Sequence, residues 1–253
     1  MAPRRLRSSP ELLVLVMFSV WTLVPLFTLL GHRGVFNGGY GLDLADLMQY
    51  MAFIRDSGEH LLISNRFDVA PSQHLLLDPG FALSGLLWRL GASIQLSLLI
   101  WVPISMAAVF AGFSLYARRL LATDPKAVVA ALLIALFFLT PATPLADWLH
   151  GGPVLRFGTE VVGLEAFAGA YAWGTVPALA IALVPVFLLL IERALEPARR
   201  APGRSARWYA GWAGVCGLLS AWLHPWQGLT LLVIVVGLAV WERFDRRCLA
   251  LVV

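Results

Sequence analysis

The sequence predicts an all-α fold, a polytopic bundle of about six membrane-spanning helices. Of its 253 residues, 59% are hydrophobic and only 13% are charged, and the mean hydropathy is +0.78, far from the composition of an ordinary water-soluble domain. The apolar runs are continuous rather than alternating, so they fit helices and not the strands of a barrel. No internal repeat or soluble segment interrupts them, and residues 1–253 are predicted to form one membrane domain.

Six apolar runs approach the length that a helix needs to cross the hydrocarbon core, about 20 residues. The first follows Arg4, Arg5 and Arg7 and lacks a small-residue cleavage site, which predicts an uncleaved anchor. The external loop that follows, 31–93, contains a hydrophobic segment at 75–90 that is broken by Asp, Pro and Gly and is predicted to be re-entrant or interfacial. The predicted spans are 12–30, 94–115, 127–140, 173–191, 208–223 and 228–241.

The basic residues predict the orientation, because Lys and Arg are enriched in cytoplasmic loops. A cytoplasmic N-terminus places 14 of the 19 basic residues on the cytoplasmic side, whereas the opposite orientation would leave only five there. Only Lys126 is a lysine, which favours a high-GC bacterial source, so we expect a multi-pass protein of the bacterial plasma membrane. The net charge of +4 comes from these loop clusters, and nucleic acid is not an expected partner. The 14 residues are Arg4, Arg5, Arg7, Arg118, Arg119, Lys126, Arg193, Arg199, Arg200, Arg204, Arg207, Arg243, Arg246 and Arg247.

An amphipathic helix is predicted between residues 41 and 58, in the external loop. Its apolar stripe consists of Leu44, Leu47, Met48 and Met51, at the spacing i, i+3, i+4, i+7. The residues Asp43, Asp46 and Tyr50 form a neighbouring polar stripe, so two carboxylates are expected to point in one direction. A solvated face on an interfacial helix explains the same pattern without any chemistry.

A second polar group lies between the fifth and sixth predicted spans, in the sequence His224-Pro-Trp-Gln227-Gly. Proline and glycine fit a tight external turn, and tryptophan fits an interfacial anchor. The turn does not explain His224 and Gln227. Polar side chains at a membrane boundary are costly unless they pair, reach water or bind something, which favours a binding role for His224.

Three further polar residues lie in predicted external segments. In the glycine-rich loop 141–171, Arg156 could bind a phosphate group, although such loops are more often solvated connections. At the mouth of the 75–90 segment, His74 and Asp78 could contribute to a site or simply cap a helix.

No nucleotide-binding glycine loop, zinc helix motif or serine elbow is found, and the histidines lack metal-ligand spacing. Only two cysteines are present, Cys216 and Cys248, so neither a disulfide framework nor a cysteine metal site is expected. We therefore predict no cofactor and no dedicated metal site, although a divalent metal that assists the external carboxylates remains compatible with the sequence.

The layout resembles the membrane-embedded GT-C glycosyltransferases, the group that includes dolichyl-phosphate-mannose protein mannosyltransferases. Those enzymes have a cytoplasmic N-terminus, one anchor helix and a long external first loop with interfacial helices and an essential acidic residue. Here Ala45-Asp46-Leu-Met-Gln-Tyr50 resembles the acidic residue followed one turn later by tyrosine, and Leu77-Asp78-Pro79 resembles the proline-bearing segment that leads into the next helices. The resemblance covers roughly residues 10–241 in layout.

The resemblance implies sugar transfer in the cell envelope from a polyprenyl-phosphate donor, because an external site has no access to cytosolic sugar nucleotides. Asp46 would be the general base on the acceptor hydroxyl, with Asp43 as helper or alternate, and the lipid phosphate would leave. Arg156 or His224 would stabilise the charge that develops on the phosphate. The remaining substrate-binding candidates are Tyr50, His74 and Gln227.

The chain departs from the family in two ways. The usual pair of adjacent acidic residues is absent, because Ala45 precedes and Leu47 follows Asp46. Members are also usually longer, so the resemblance implies an N-terminal portion or a shortened, inactive relative. The alternative function is a non-catalytic membrane scaffold, or a transporter-like subunit, that binds a lipid-linked substrate. The predicted spans of this chain are nearly free of ionisable residues, which counts against the transporter alternative.

Overall fold

The computed structural model describes residues 10–31, 44–65, 73–121, 124–137, 176–195 and 206–241. This part of the chain is predominantly helical, as predicted. Its elements, in chain order, are α1 (Pro10–Gly31), α2 (Leu44–His60), β1 (Ile63–Ser64), β2 (His74–Leu76), α3 (Pro79–Arg89), α4 (Ile94–Leu99), α5 (Trp101–Leu120), α6 (Pro125–Phe137), α7 (Val176–Leu195), α8 (Ala206–Leu223) and α9 (Pro225–Trp241).

Two helical segments are long and apolar enough to cross a membrane. The 27 residues Ile94–Leu120, formed by α4 and α5 together, and the 20 residues of α7 meet that test; at about 1.5 Å per residue, 20 residues span roughly 30 Å. Shorter apolar helices occur at Pro10–Leu23, Pro125–Phe137 and Pro225–Leu238. All six apolar runs identified in the sequence therefore lie on helices, within the described residues.

The contact between α5 and α7 forms the centre of the bundle. Gly112 of α5 faces the backbone of α7 so closely that a Cβ atom on it would lie 2.6 Å from the Ala182 carbonyl oxygen. On one side, α1 and α6 add Phe18, Leu132 and Leu136 to a buried cluster that includes Ala182. On the other side, α8 and α9 pack against α7 around a second buried cluster. The helix α7 thus contributes to both hydrophobic clusters.

The helices α2 and α3 and the two strands form a separate layer. Leu47 and Ile54 of α2 are buried against Leu98 and aromatic side chains of α3. Trp101 connects this layer to α5, because its indole Nε1 donates to Ser84 Oγ at 2.6 Å and Ser84 donates in turn to the Ser97 carbonyl at 2.9 Å. The α2–α3 layer is therefore joined to the N-terminal end of α5.

Different side-chain contacts are found at the two ends of the bundle. At the C-terminal end of α5, Arg118 pairs with Glu11 of α1 and Arg119 pairs with Glu192 of α7. At the opposite end, Gly80 of α3 lies directly against Val176 of α7. There the Trp222 indole of α8 also donates a hydrogen bond to the Leu77 carbonyl. The α2–α3 layer and the Arg–Glu pairs thus occupy opposite ends.

The segment 75–90 differs in detail from the sequence prediction. It forms strand β2 and helix α3, and the 11 residues of α3 rise only about 16 Å, too short to cross a bilayer, which agrees with the predicted non-spanning character. Strands were not predicted, and this was wrong locally: β1 pairs with β2 in an antiparallel ladder with an irregularity between Ile63 and Ser64. Strands of two and three residues are too short to show an alternating pattern.

Packing between α2 and α3 depends on two facing glycines. A Cβ atom at Gly85 would lie 2.5 Å from the Gly58 amide nitrogen and 2.9 Å from the Ile54 carbonyl oxygen. We predict that Gly85→Ala lowers the free energy of unfolding by about 1–3 kcal/mol, because rigid backbone cannot move aside easily. Thermal unfolding of the detergent-purified chain measures the effect.

Gly214→Ala on α8 is the matched control, because a Cβ atom there meets nothing within 4 Å. A helical Gly→Ala change in open space should leave stability unchanged or raise it by up to about 1 kcal/mol. Equal melting temperatures for the two variants would contradict the close α2–α3 packing.

Candidate functional site

A buried carboxylate in the α2–α3 layer lies next to two imidazoles. Asp56 of α2 is only 2% exposed. Its Oδ1 atom lies 2.9 Å from Nε2 of His74, and its Oδ2 atom accepts hydrogen bonds of 2.8 Å from both the amide and the hydroxyl of Ser64. Both oxygens of the carboxylate therefore have defined partners, which compensate for its burial.

The second imidazole belongs to His60, one helical turn after Asp56. The His60 and His74 ring centroids are 4.0 Å apart, with an angle of 38° between the rings. One donor atom from each of Asp56, His60 and His74 can be chosen so that all three lie within 4.8 Å of one another. His60 is exposed, so the group reaches from a buried carboxylate to the protein surface.

Local backbone geometry brings these three residues together. Positions 56 and 60 share one face of α2 because they are four residues apart. The helix ends at Leu61, which has a φ of +68° and donates its amide to the Ser57 carbonyl; this left-handed residue turns the chain towards β1. The ladder then pairs Ser64 with His74, which places the His74 imidazole beside Asp56.

An open cavity of about 580 Å³ lies between α2 and the C-terminal end of α3. Its lining includes Glu59 of α2 and Arg89 of α3, together with Trp88. The Glu59 carboxylate is 3.9 Å from Nε2 of His60 at the cavity rim. The opposite charges of Glu59 and Arg89, with the Trp88 ring between α2 and α3, could hold a polar ligand.

This group was not predicted from the sequence, because the spacing of the histidines does not match a metal-binding motif. The spacing of Asp56 and His60, four residues apart, would place both side chains on one face of a helix and could have indicated such a group. The contribution of His74 depends on the strand register, which no pattern in this short segment reveals. A carboxylate with two imidazoles can move a proton through an Asp–His pair or bind a metal ion.

Tyr50 is part of the packing between α2 and α3. Its ring lies 5.4 Å from the Phe81 ring, and Phe53 lies 5.3 Å from the same ring. Asp46 lies in the first turn of α2, and its side chain is outside the described residues. Asp43 and Arg156 also lie outside the described residues, so their predicted roles stay predictions.

The predicted turn between α8 and α9 is centred on His224. Its amide donates to the Ser220 carbonyl and its carbonyl accepts from the Gln227 amide, so one residue ends α8 and begins α9. Burial lowers the pKa of the imidazole, which favours its neutral form. Its buried Nδ1 atom has no hydrogen-bond partner within the described part of the chain. The Trp222 contact to Leu77 puts this turn at the same end as His74.

Asp78 caps a helix, which was one of the two roles expected for it. Its Oδ1 atom accepts hydrogen bonds from the amides of Gly80 (2.8 Å) and Phe81 (3.0 Å) at the start of α3. Burial raises the pKa of this carboxyl, and the two amide hydrogen bonds partly oppose that effect.

Two substitutions distinguish the effect of the helix cap on stability from the effect of the Asp78 charge. Asp78→Ala removes the cap and should cost about 1 kcal/mol of stability. Asp78→Asn keeps an acceptor without the partly buried charge, so it should be at least as stable as the wild type at neutral pH. Between the ordinary pKa of 3.8 and the raised value, the folded state binds more protons than the unfolded state. The contribution of Asp78 to the free energy of unfolding is therefore greatest at low pH, and it is lost as the pH rises through the raised pKa.

The advantage of Asp78→Asn should accordingly shrink as the pH falls towards 4. Chemical unfolding at several pH values checks this. If Asp78→Asn were as unstable as Asp78→Ala at neutral pH, the cap would require a charged oxygen and the argument from burial would be wrong.

No known family model, curated protein or solved structure matches this chain. The resemblance to GT-C glycosyltransferases therefore rests on the residues and layout described above.

Proposed function

We propose that this chain is a six-span membrane glycosyltransferase of the GT-C type that transfers a sugar from a polyprenyl-phosphate donor on the non-cytoplasmic face. The observation that carries the proposal is the position of the α2–α3 layer. It follows the first hydrophobic helix in sequence and lies at the end of the bundle opposite the Arg–Glu pairs.

The outer surfaces of several helices support a lipid environment. Large apolar side chains face outwards on several helices, including Leu13 of α1 (61% exposed), Leu218 of α8 (64%) and Val233 of α9 (63%). In water many exposed apolar side chains favour aggregation, whereas in a bilayer they are the normal lipid contact. Helices α1, α6, α8 and α9 would then span together with the two segments that meet the length test.

The charged end of the bundle supports a cytoplasmic N-terminus. Arg118 and Arg119 lie together with Glu11, near the start of α1, and with Glu192, near the end of α7. Three helix ends thus meet where the arginine-rich loops begin, as the positive-inside rule expects for the cytoplasmic side. The α2–α3 layer, His74 and His224 would then face the cell exterior.

The chemistry assigned to this face is a displacement at the anomeric carbon of the donor sugar. Asp46 would accept the proton of the acceptor hydroxyl as the new C–O bond forms, while the bond from the anomeric carbon to the phosphate oxygen breaks. The polyprenyl phosphate leaves with that electron pair. His224 would donate a hydrogen bond to its developing charge, with Gln227 and Arg156 as further polar contacts.

Donor binding tests this proposal. Polyprenyl-phosphate sugars should raise the melting temperature of the detergent-purified chain more than sugar-free polyprenyl phosphate does, because a ligand at 100 times its Kd stabilises by about 2.7 kcal/mol. His224→Ala should weaken that stabilisation. Asp46→Asn should lower the transfer rate by about 10²–10⁴-fold, the usual size of a general-base effect.

Asp124→Asn is the matched carboxylate control. Asp124 begins α6, where its side chain accepts from the amides of Lys126 and Ala127, and Asn can retain that cap. It should leave donor binding and transfer unchanged. If no donor stabilises the wild type, the glycosyltransferase proposal fails. If donors stabilise the chain but Asp46→Asn leaves the transfer rate unchanged, the scaffold alternative replaces it.

A further inference from the structure

We infer that Asp56, His60 and His74 form a binding site for a single first-row divalent metal ion, with Zn²⁺ as the best fit. The inference involves none of the residues assigned to the transfer chemistry except His74. It concerns metal binding rather than sugar transfer, so it can succeed or fail independently of the proposed function.

The positions of the donor atoms are close to those of a coordination shell. In a tetrahedral zinc site with bonds of about 2.0–2.2 Å, neighbouring ligand atoms are roughly 3.4 Å apart. Here Asp56 Oδ1 and His74 Nε2 are 2.9 Å apart, and a donor atom from each of the three residues lies within 4.8 Å of the others. Small side-chain rotations would place an ion between them, and His60 is free to make one because it is exposed.

The surroundings of Asp56 also fit a metal ligand. The amide and hydroxyl of Ser64 donate to Oδ2, and Oδ1 lies 2.9 Å from Nε2 of His74, the atom with which it would share an ion. Carboxylate ligands in metal sites commonly have such hydrogen-bonded partners, which fix the orientation of the ligand. The near-complete burial of Asp56 lowers the local dielectric and strengthens its attraction for a cation.

The ligand types select the metal. Two imidazoles and one carboxylate suit Zn²⁺ and its transition-metal neighbours, whereas Ca²⁺ and Mg²⁺ prefer shells of oxygen atoms. Three protein ligands leave a fourth tetrahedral position for water or another molecule, the arrangement found in catalytic rather than structural zinc sites.

Metal titration of the purified full-length chain tests the site. After treatment with chelator and buffer exchange, the wild type should bind about one Zn²⁺ per chain, measured by calorimetry and elemental analysis, and its melting temperature should rise with Zn²⁺ but not with Mg²⁺. His60→Ala and His74→Ala should each reduce the bound Zn²⁺ to near zero. Ser64→Ala should weaken affinity by about 10–100-fold, because it removes a hydrogen bond that orients a ligand.

His224→Ala is the control, since it removes an imidazole that is not among the three ligands, and its Zn²⁺ stoichiometry should equal that of the wild type. His60 is exposed and is therefore the variant least expected to disturb folding, which its melting temperature in chelator verifies. The proposal is overturned if the wild type binds no Zn²⁺, or if a folded His60→Ala binds Zn²⁺ as the wild type does.

Discussion

The close contact between α5 and α7 is the constraint on which the rest of the structure depends. Because Gly112 has no side chain, the two backbones can approach at Ala182, and the remaining helices pack on either side of this pair. One hydrophobic cluster collects α1 and α6, and the other collects α8 and α9. The same pair fixes both ends of the molecule: Arg119 and Glu192 join α5 to α7 at one end, and α3 meets Val176 of α7 at the other.

Polarity is distributed along the bundle as a consequence. The helices pack mainly through small and apolar residues, with hydroxyl contacts such as that from Ser220 to the Ala180 carbonyl. Ionisable groups are left for the ends, where each charge can find a partner or water. Paired Arg and Glu side chains neutralise one another at one end. At the other end the buried carboxylate of Asp56 is satisfied within the α2–α3 layer by Ser64 and His74. Any chemistry of the described residues is therefore concentrated in that layer and in the adjoining turn at His224.

Much of the fold could be predicted from the sequence, because it follows from local composition. Continuous apolar runs predicted the helices, and the spacing of Leu44, Leu47 and Met51 predicted α2. The site was less predictable. Tyr50 shared a stripe with two acidic residues, but its ring packs on Phe81 since α3 folds back on α2. The contact between Asp56 and His74 depends on the left-handed residue Leu61 and on the strand register, and both are set by tertiary packing rather than by periodicity.

The most direct test of the arrangement is the accessibility of its two ends in intact cells. In a chain whose native cysteines, Cys216 and Cys248, are replaced by serine, Gln73→Cys marks the α2–α3 layer and Lys126→Cys marks the start of α6; both positions are exposed. A membrane-impermeant maleimide should label Gln73→Cys in intact cells and Lys126→Cys only after permeabilisation. The reverse pattern, or equal labelling of both positions in intact cells, would contradict an externally facing site.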